Sequence, residues 1–238
     1  MKKMKKMKNL IIFISITFSH QVLAQNGWYV DFGIGNAVNK KQDINIYQVN
    51  HDDILLKDVQ FSSHGFQAPI LYTIRIGKEN IGLKNYWELE HIHHKLYIDD
   101  IQSINSKLTK FEITDGYNLF LINKVFEHTE IKHAMFRLGI GTIYTHPDIH
   151  FDDDQDGQTD RTNFERGNGV FPTIWKDGYH WGGYAIQASI AKQWKIKQFR
   201  IAAELKAYHG AANIPVDDGH VFVPTTSANA SLVLGYSF

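Results

Sequence analysis

The chain contains no cysteine. That excludes a disulfide framework, thiolate chemistry, iron–sulfur ligation and a lipid anchor on an N-terminal cysteine. Beyond the N-terminal 24 residues it also lacks any run of about 18 consecutive apolar residues, which excludes a membrane-crossing helix. An excess of positive charge is missing as well: Lys+Arg and Asp+Glu are 25 each. No dinucleotide-binding glycine motif, internal repeat or second domain is evident.

The N-terminus concentrates what positive charge there is. Lys2, Lys3, Lys5, Lys6 and Lys8 precede the short apolar stretch 10–18, and Val22-Leu23-Ala24 follows with small-residue spacing. This is the pattern of a secretory signal peptide, residues 1–24, which leaves one domain, residues 25–238. Its removal leaves 20 Lys+Arg against 25 Asp+Glu, a formal −5. An acidic mature chain has no basic footprint for nucleic acid.

Alternation fills the rest. In 228–238 apolar groups occupy every second position, from Ala228 through Leu232 and Leu234 to the terminal Phe238. That is the period of a strand with one apolar and one polar face. Eight such segments are expected, at 26–36, 66–78, 83–98, 109–124, 132–146, 179–194, 197–209 and 226–238. The expected fold is all-β: an eight-stranded antiparallel transmembrane barrel, since a closed barrel satisfies every backbone group in lipid. Short connections at 78–81, 127–131 and 195–197 alternate with longer ones at 37–65, 99–108, 147–178 and 210–225. An even strand count puts both termini on the periplasmic side of a Gram-negative outer membrane. Eight strands leave no aqueous pore, so inward Asp31, Arg75, Glu88, Arg137, Glu204 and Lys206 have to pair with one another.

The chemistry-bearing residues gather at the extracellular strand ends. The densest stretch is Glu88-Leu89-Glu90-His91-Ile92-His93-His94-Lys95. Ionisable groups at membrane depth are functional candidates. Two phasings are available: a bulge near His91 turns His93 and Lys95 inward, and without it His94 points inward. Thr114-Asp115-Gly116-Tyr117-Asn118 reads as a second bulge. Tyr144-Thr145-His146-Pro147, the run 178–183 and Glu204-Leu205-Lys206 reach the same level.

These steps, over about residues 55–238, resemble the outer-membrane lipid A oxidase group of barrels. The matching elements are His93 and Lys95 before Tyr97, Asp115 and Asn118 around Gly116, His146 after Gly139-Ile140-Gly141, and Glu204 and Lys206. Leu205 departs from the pattern, which has an aromatic residue there. The resemblance implies oxidation of the proximal glucosamine of lipid A by a site made of His93, Lys95, Asp115, Asn118, His146, Glu204 and Lys206. With no cysteine or dinucleotide motif, the ligands left for oxygen chemistry are imidazole and carboxylate. His93, His146 and Glu204 then form a candidate divalent-metal set, with Lys95 or Lys206 gripping a phosphate.

Two other readings stand beside it. One is a non-enzymatic structural or adhesive barrel with a plugged interior. The other is a lipid A deacylase, for which Ser62 and Ser63 beside His64 are the only close serine–histidine pair after residue 24, with no obvious acid partner. Separately, Asp152, Asp154, Asp156 and Asp160 with Gly157 follow the start of a calcium loop, although position 12 is Asn163. The expected partners are outer-membrane lipids, lipid A among them, and the barrel-assembly machinery, with the protein a monomer.

Overall fold

A computed structural model describes residues 27–79, 84–128, 130–162, 179–216 and 218–238. The expected signal segment 1–24, part of the 78–81 turn, Asn163 and Gly178 lie outside them.

Eight antiparallel strands close into a barrel in the order β1 (Trp28–Asn39), β4 (Tyr72–Lys78), β5 (Asn85–Tyr97), β6 (Leu108–Glu127), β7 (Ala134–Thr145), β10 (His180–Ile196), β11 (Phe199–Val216) and β12 (Gly219–Ser237). Closure runs from Tyr29↔Ser237 to Asn39↔Ser227, so the main sheet keeps no free edge along the span. The fold is the expected transmembrane type. Outward positions are apolar and exposed: Phe32, Ile34, Ile74, Ile76, Leu89, Ile122, Leu138, Ile140, Leu205, Leu232 and Leu234. A soluble protein does not display a belt of that extent to water.

The interior of this span is polar and closed. At the short-turn end, where both strand termini lie, Arg200 donates to Asp31 at 2.8 Å and its guanidinium covers the Tyr29 ring at 3.7 Å. In the middle, Arg75 reaches Glu204 at 2.6 Å and Glu90 at 2.9 Å, and Arg137 reaches Glu88 at 2.9 Å and Glu204 at 3.3 Å. Lys206 joins Glu90 directly and Glu204 at 3.3 Å. Asn123 bridges Glu88 and Glu90, and Gln187 joins Asn123 at 2.6 Å. Gly139 leaves room for that bridge, because a Cβ there would collide with Asn123 Oδ1. The expected mutual pairing holds for Arg75, Glu88, Arg137, Glu204 and Lys206, joined by Glu90, whereas Asp31 pairs with Arg200 instead.

Above the ion pairs the polarity inverts. Along β11 the outward residues Ile201, Ala203, Leu205 and Ala207 face opposite Arg200, Glu204, Lys206 and Tyr208. Further up, inward Ala212, Ile214 and Val216 are buried while Asn213 and Pro215 are exposed. The wall has left lipid for water, so the apolar face turns inward. Segment 210–225, expected as a loop, is therefore the top of a β11–β12 hairpin. Segment 37–65 likewise contains β2 (Gln42–Gln48) and β3 (Ile54–Val59), with β2 paired to β12 and β3 to β2. Short β8 (Asp148–Phe151) pairs β6, and β9 (Arg161–Thr162) pairs β8. One turn of helix, α1 (Ile101–Ile104), lies in 99–108. Together these elements cap the barrel around a core that includes Ile44, Ile46, Phe61, Phe111, Phe151 and Val223.

At the other boundary, residues 66–71 are not strand as expected. They form a coil beside the top of β5, where Lys95 Nζ holds the carbonyls of His64 and Gln67 at 3.0 and 2.9 Å.

Candidate functional site

The register of β5 decides the histidines. Glu90 lies opposite Arg75, His91 opposite Ile74 and His93 opposite Tyr72. Glu90 and Arg75 are buried inside, and Ile74 is exposed on the lipid side. His91 and His93 therefore face outward. His94 faces inward, 3.1 Å from Asn39 Oδ1 and 3.0 Å from the Tyr208 hydroxyl. The bulge expected near His91 lies instead at Lys95, where pairing skips from His94↔Tyr117 to Leu96↔Ile113. The facing bulge is the one expected at Thr114–Gly116. Its Gly116 has φ 121°, in the half of backbone space that side chains disfavour.

That bulge aims Asn118 outward between the two rings. Asn118 Oδ1 lies 3.0 Å from His91 Nε2 and 3.0 Å from His93 Nδ1. Its Nδ2 donates to the Asp115 carbonyl at 3.4 Å, which fixes the amide's orientation. A carboxamide oxygen has two lone pairs, so both imidazoles donate to it. His93 then carries its proton on Nδ1 and a lone pair on Nε2. That Nε2 is out of contact with solvent and has no hydrogen-bond partner.

An aromatic shelf surrounds this node on the lipid side. Tyr72 stacks on His93 at 4.9 Å and 17°, and Phe120 stacks on His91 at 4.7 Å. Phe120 continues to Trp181, which meets Tyr144 at 4.6 Å. Tyr144 stacks on Tyr179, whose hydroxyl donates to the Asp115 carbonyl at 3.2 Å. His146 Nδ1 sits 3.6 Å from Asp115 Oδ2 and its ring 4.6 Å from Tyr179. Amphipathic rings at one height mark the level where lipid meets water.

The structure thus divides the expected site. His93, Asn118, Asp115 and His146 share the outer wall. Glu204 and Lys206 are inside, in the ion-pair network, on the opposite face of the barrel wall. Lys95 belongs to neither group, since its ammonium is engaged by the 64–67 carbonyls. The metal set His93, His146 and Glu204 is not assembled, because strand alternation sends Glu204 inward. Tyr72 and Phe120 were not singled out in the sequence. The signal that finds them is their outward position across from His93 and His91, which needs the register.

Two further candidates take definite form. Asp99 accepts from Ser62 and lies 3.1 Å from His64 Nε2. The Ser62 hydroxyl, followed by the His64 contact, holds the Asp99 carboxyl below its usual range. The acid stands between serine and histidine, whereas nucleophilic catalysis needs the histidine between them. In the acidic loop, carboxylate oxygens of Asp152, Asp154 and Asp156 lie within 4.8 Å of one another. Asp160 is not part of that trio. Its Oδ2 accepts the backbone N–H of Asp153 at 2.7 Å and closes the turn.

No protein-family model matches the sequence, and no curated protein does. Among solved structures, Neisserial surface protein A is similar over 89% of this chain and 97% of its own, at 10% identity and a TM-score of 0.41. Ail, the attachment invasion locus protein of Yersinia pestis, is similar over 86% and 97%, at 11% identity and 0.38. Likeness at that level leaves function to the chain's own geometry.

Proposed function

We propose that this chain is an outer-membrane barrel of the structural or adhesive kind, non-enzymatic, with its short-turn end and both termini periplasmic. The carrying observation is the closed ion-pair network. Glu204 and Lys206, which an oxidase-like site requires, are bonded to Arg75, Arg137 and Glu90 inside the wall. Among the described residues of the span no cationic or acidic group faces a channel unpaired, and the surface-exposed part is a folded β cap with its own apolar core. Such an architecture presents a rigid face outward and transports nothing. The signal segment and the alternation support delivery by the barrel-assembly machinery.

The test compares cells displaying the full chain with cells in which 42–59 is replaced by a tight turn. Attachment to a surface lost with this hairpin, at equal amounts of assembled barrel, is expected. Equal attachment overturns the adhesive reading.

A second reading, modification of lipid A, keeps support from one observation: His93, Asn118, Asp115 and His146 face the lipid. Mass spectrometry of lipid A from cells with and without the protein separates the two. Unchanged lipid A supports the first reading. A gain of one oxygen or loss of an acyl chain establishes the second.

A further inference from the structure

The outer wall holds two features that meet at His91. Above it is the Asn118 node with the unpartnered Nε2 of His93, a side chain only 6% exposed. Below it an apolar groove of about 280 Å³ runs between β4, β5 and β6, lined by Ile74, Ile76, Leu89, Phe120 and Ile122, with His91 at its upper end. His91 and His93 are two residues apart, so the two features are separated by about 6–7 Å along the strand.

We propose that this place is a lipid-binding site for one outer-leaflet lipid whose acyl chain joins its headgroup through a donor group, an amide N–H or a hydroxyl. The chain lies in the groove, and the donor hydrogen-bonds to His93 Nε2. The inference rests on the membrane-barrel reading above. The chemistry follows from the tautomer. Asn118 accepts the Nδ1 proton, so Nε2 is an acceptor and asks for a donor. An ester junction offers none. A buried acceptor without a donor is unfavourable. A membrane lipid is the molecule that shares this face. Reaching Nε2 requires the packing around the His93 ring, on whose face Tyr72 stacks, to open.

The experiment uses the full-length barrel in detergent, titrated with sphingomyelin or with diacyl phosphatidylcholine and read by native mass spectrometry. The two lipids share a headgroup; only the first carries amide and hydroxyl donors at the chain junction. One equivalent of sphingomyelin is expected to be retained in preference to phosphatidylcholine. His93→Phe should reduce that preference by about threefold to tenfold, the equivalent of one hydrogen bond. Leu89→Trp fills the groove and should reduce retention of both lipids, while Ile186→Trp, on another part of the wall, should change neither. Each variant is first checked for heat-modifiable migration. If His93→Phe does not assemble, the wild-type preference and Leu89→Trp decide. Equal retention of the two lipids, or a preference unchanged in assembled His93→Phe, overturns the proposal and leaves the barrel reading intact. Absence of heat-modifiable migration in the wild type overturns the barrel reading itself.

Discussion

Gly116 shows how one residue sets the outer face. Its positive φ and the lack of a Cβ let Asn118 sit between His91 and His93, since a Cβ there would strike the Asn118 amide. Gly116→Ala is therefore expected to destabilise the barrel by about 1–3 kcal/mol and to release the two imidazoles. Chemical unfolding in liposomes measures the first effect. Loss of the hydrogen-bonded imidazole N–H resonances reports the second. Glu204 makes the opposite point. Its carboxylate faces Arg75, Arg137 and Lys206 in the buried interior, and removing one member of such a set strands the others. Glu204→Ala should cost about 3–5 kcal/mol, read from the same unfolding assay. A loss of lipid chemistry with unchanged stability would instead return Glu204 to a catalytic role.

Between elements, the clearest dependence is that of β9 on β2. Arg161 donates to Asp153 at 2.6 and 2.7 Å and to Gln48 Oε1 at 2.9 Å, joining the acidic loop to the β2 end. The Arg161 hydrogen bonds, followed by its charge and that of His51, hold the Asp153 carboxyl below its usual range. A carboxyl depressed in the folded state contributes stability that is present above its unfolded pKa, about 3.9. That contribution is lost as pH falls through the lower folded value. Asp153 is partly exposed, so the contribution is small. The expected outcome is local: hydrogen exchange in β8 and β9 accelerates below about pH 4, and Arg161→Ala accelerates it at neutral pH, while the barrel strands stay protected. The inversion along β11 is the other element-scale device. Leu205→Arg on the lipid face should cost about 2–4 kcal/mol if it lies near the midplane. The same substitution at Asn213, already in water, should cost little. Unfolding of the two variants side by side measures the difference.

For the whole molecule, a filled eight-stranded interior predicts no conductance. Purified protein in a planar bilayer should give no stepwise currents, and unheated samples should migrate differently from heated ones on gels. Stable single-channel steps would mean that the ion-pair network opens, contrary to its closed hydrogen bonding.

The sequence by itself determined the fold class, the number of barrel strands and the need for inward charges to pair. Each follows from a period of two and a fixed count of segments, which are local properties of the chain. It also located the Gly116 bulge, because Asp-Gly interrupts an apolar run. It did not reveal that 210–225 is wall. There the alternation reverses phase, and a reversed phase resembles a loop until the outer solvent is known to change from lipid to water. Only the tertiary structure decided which way His91, His93 and His94 point. A shift of one residue exchanges the two faces of a strand, and the position of the Lys95 bulge depends on pairing with β6. For the same reason His93 and Glu204, expected in one site, stand on opposite sides of the wall. Alternation within a strand is written in the sequence, but which face meets lipid at each level is set by the register of its neighbours.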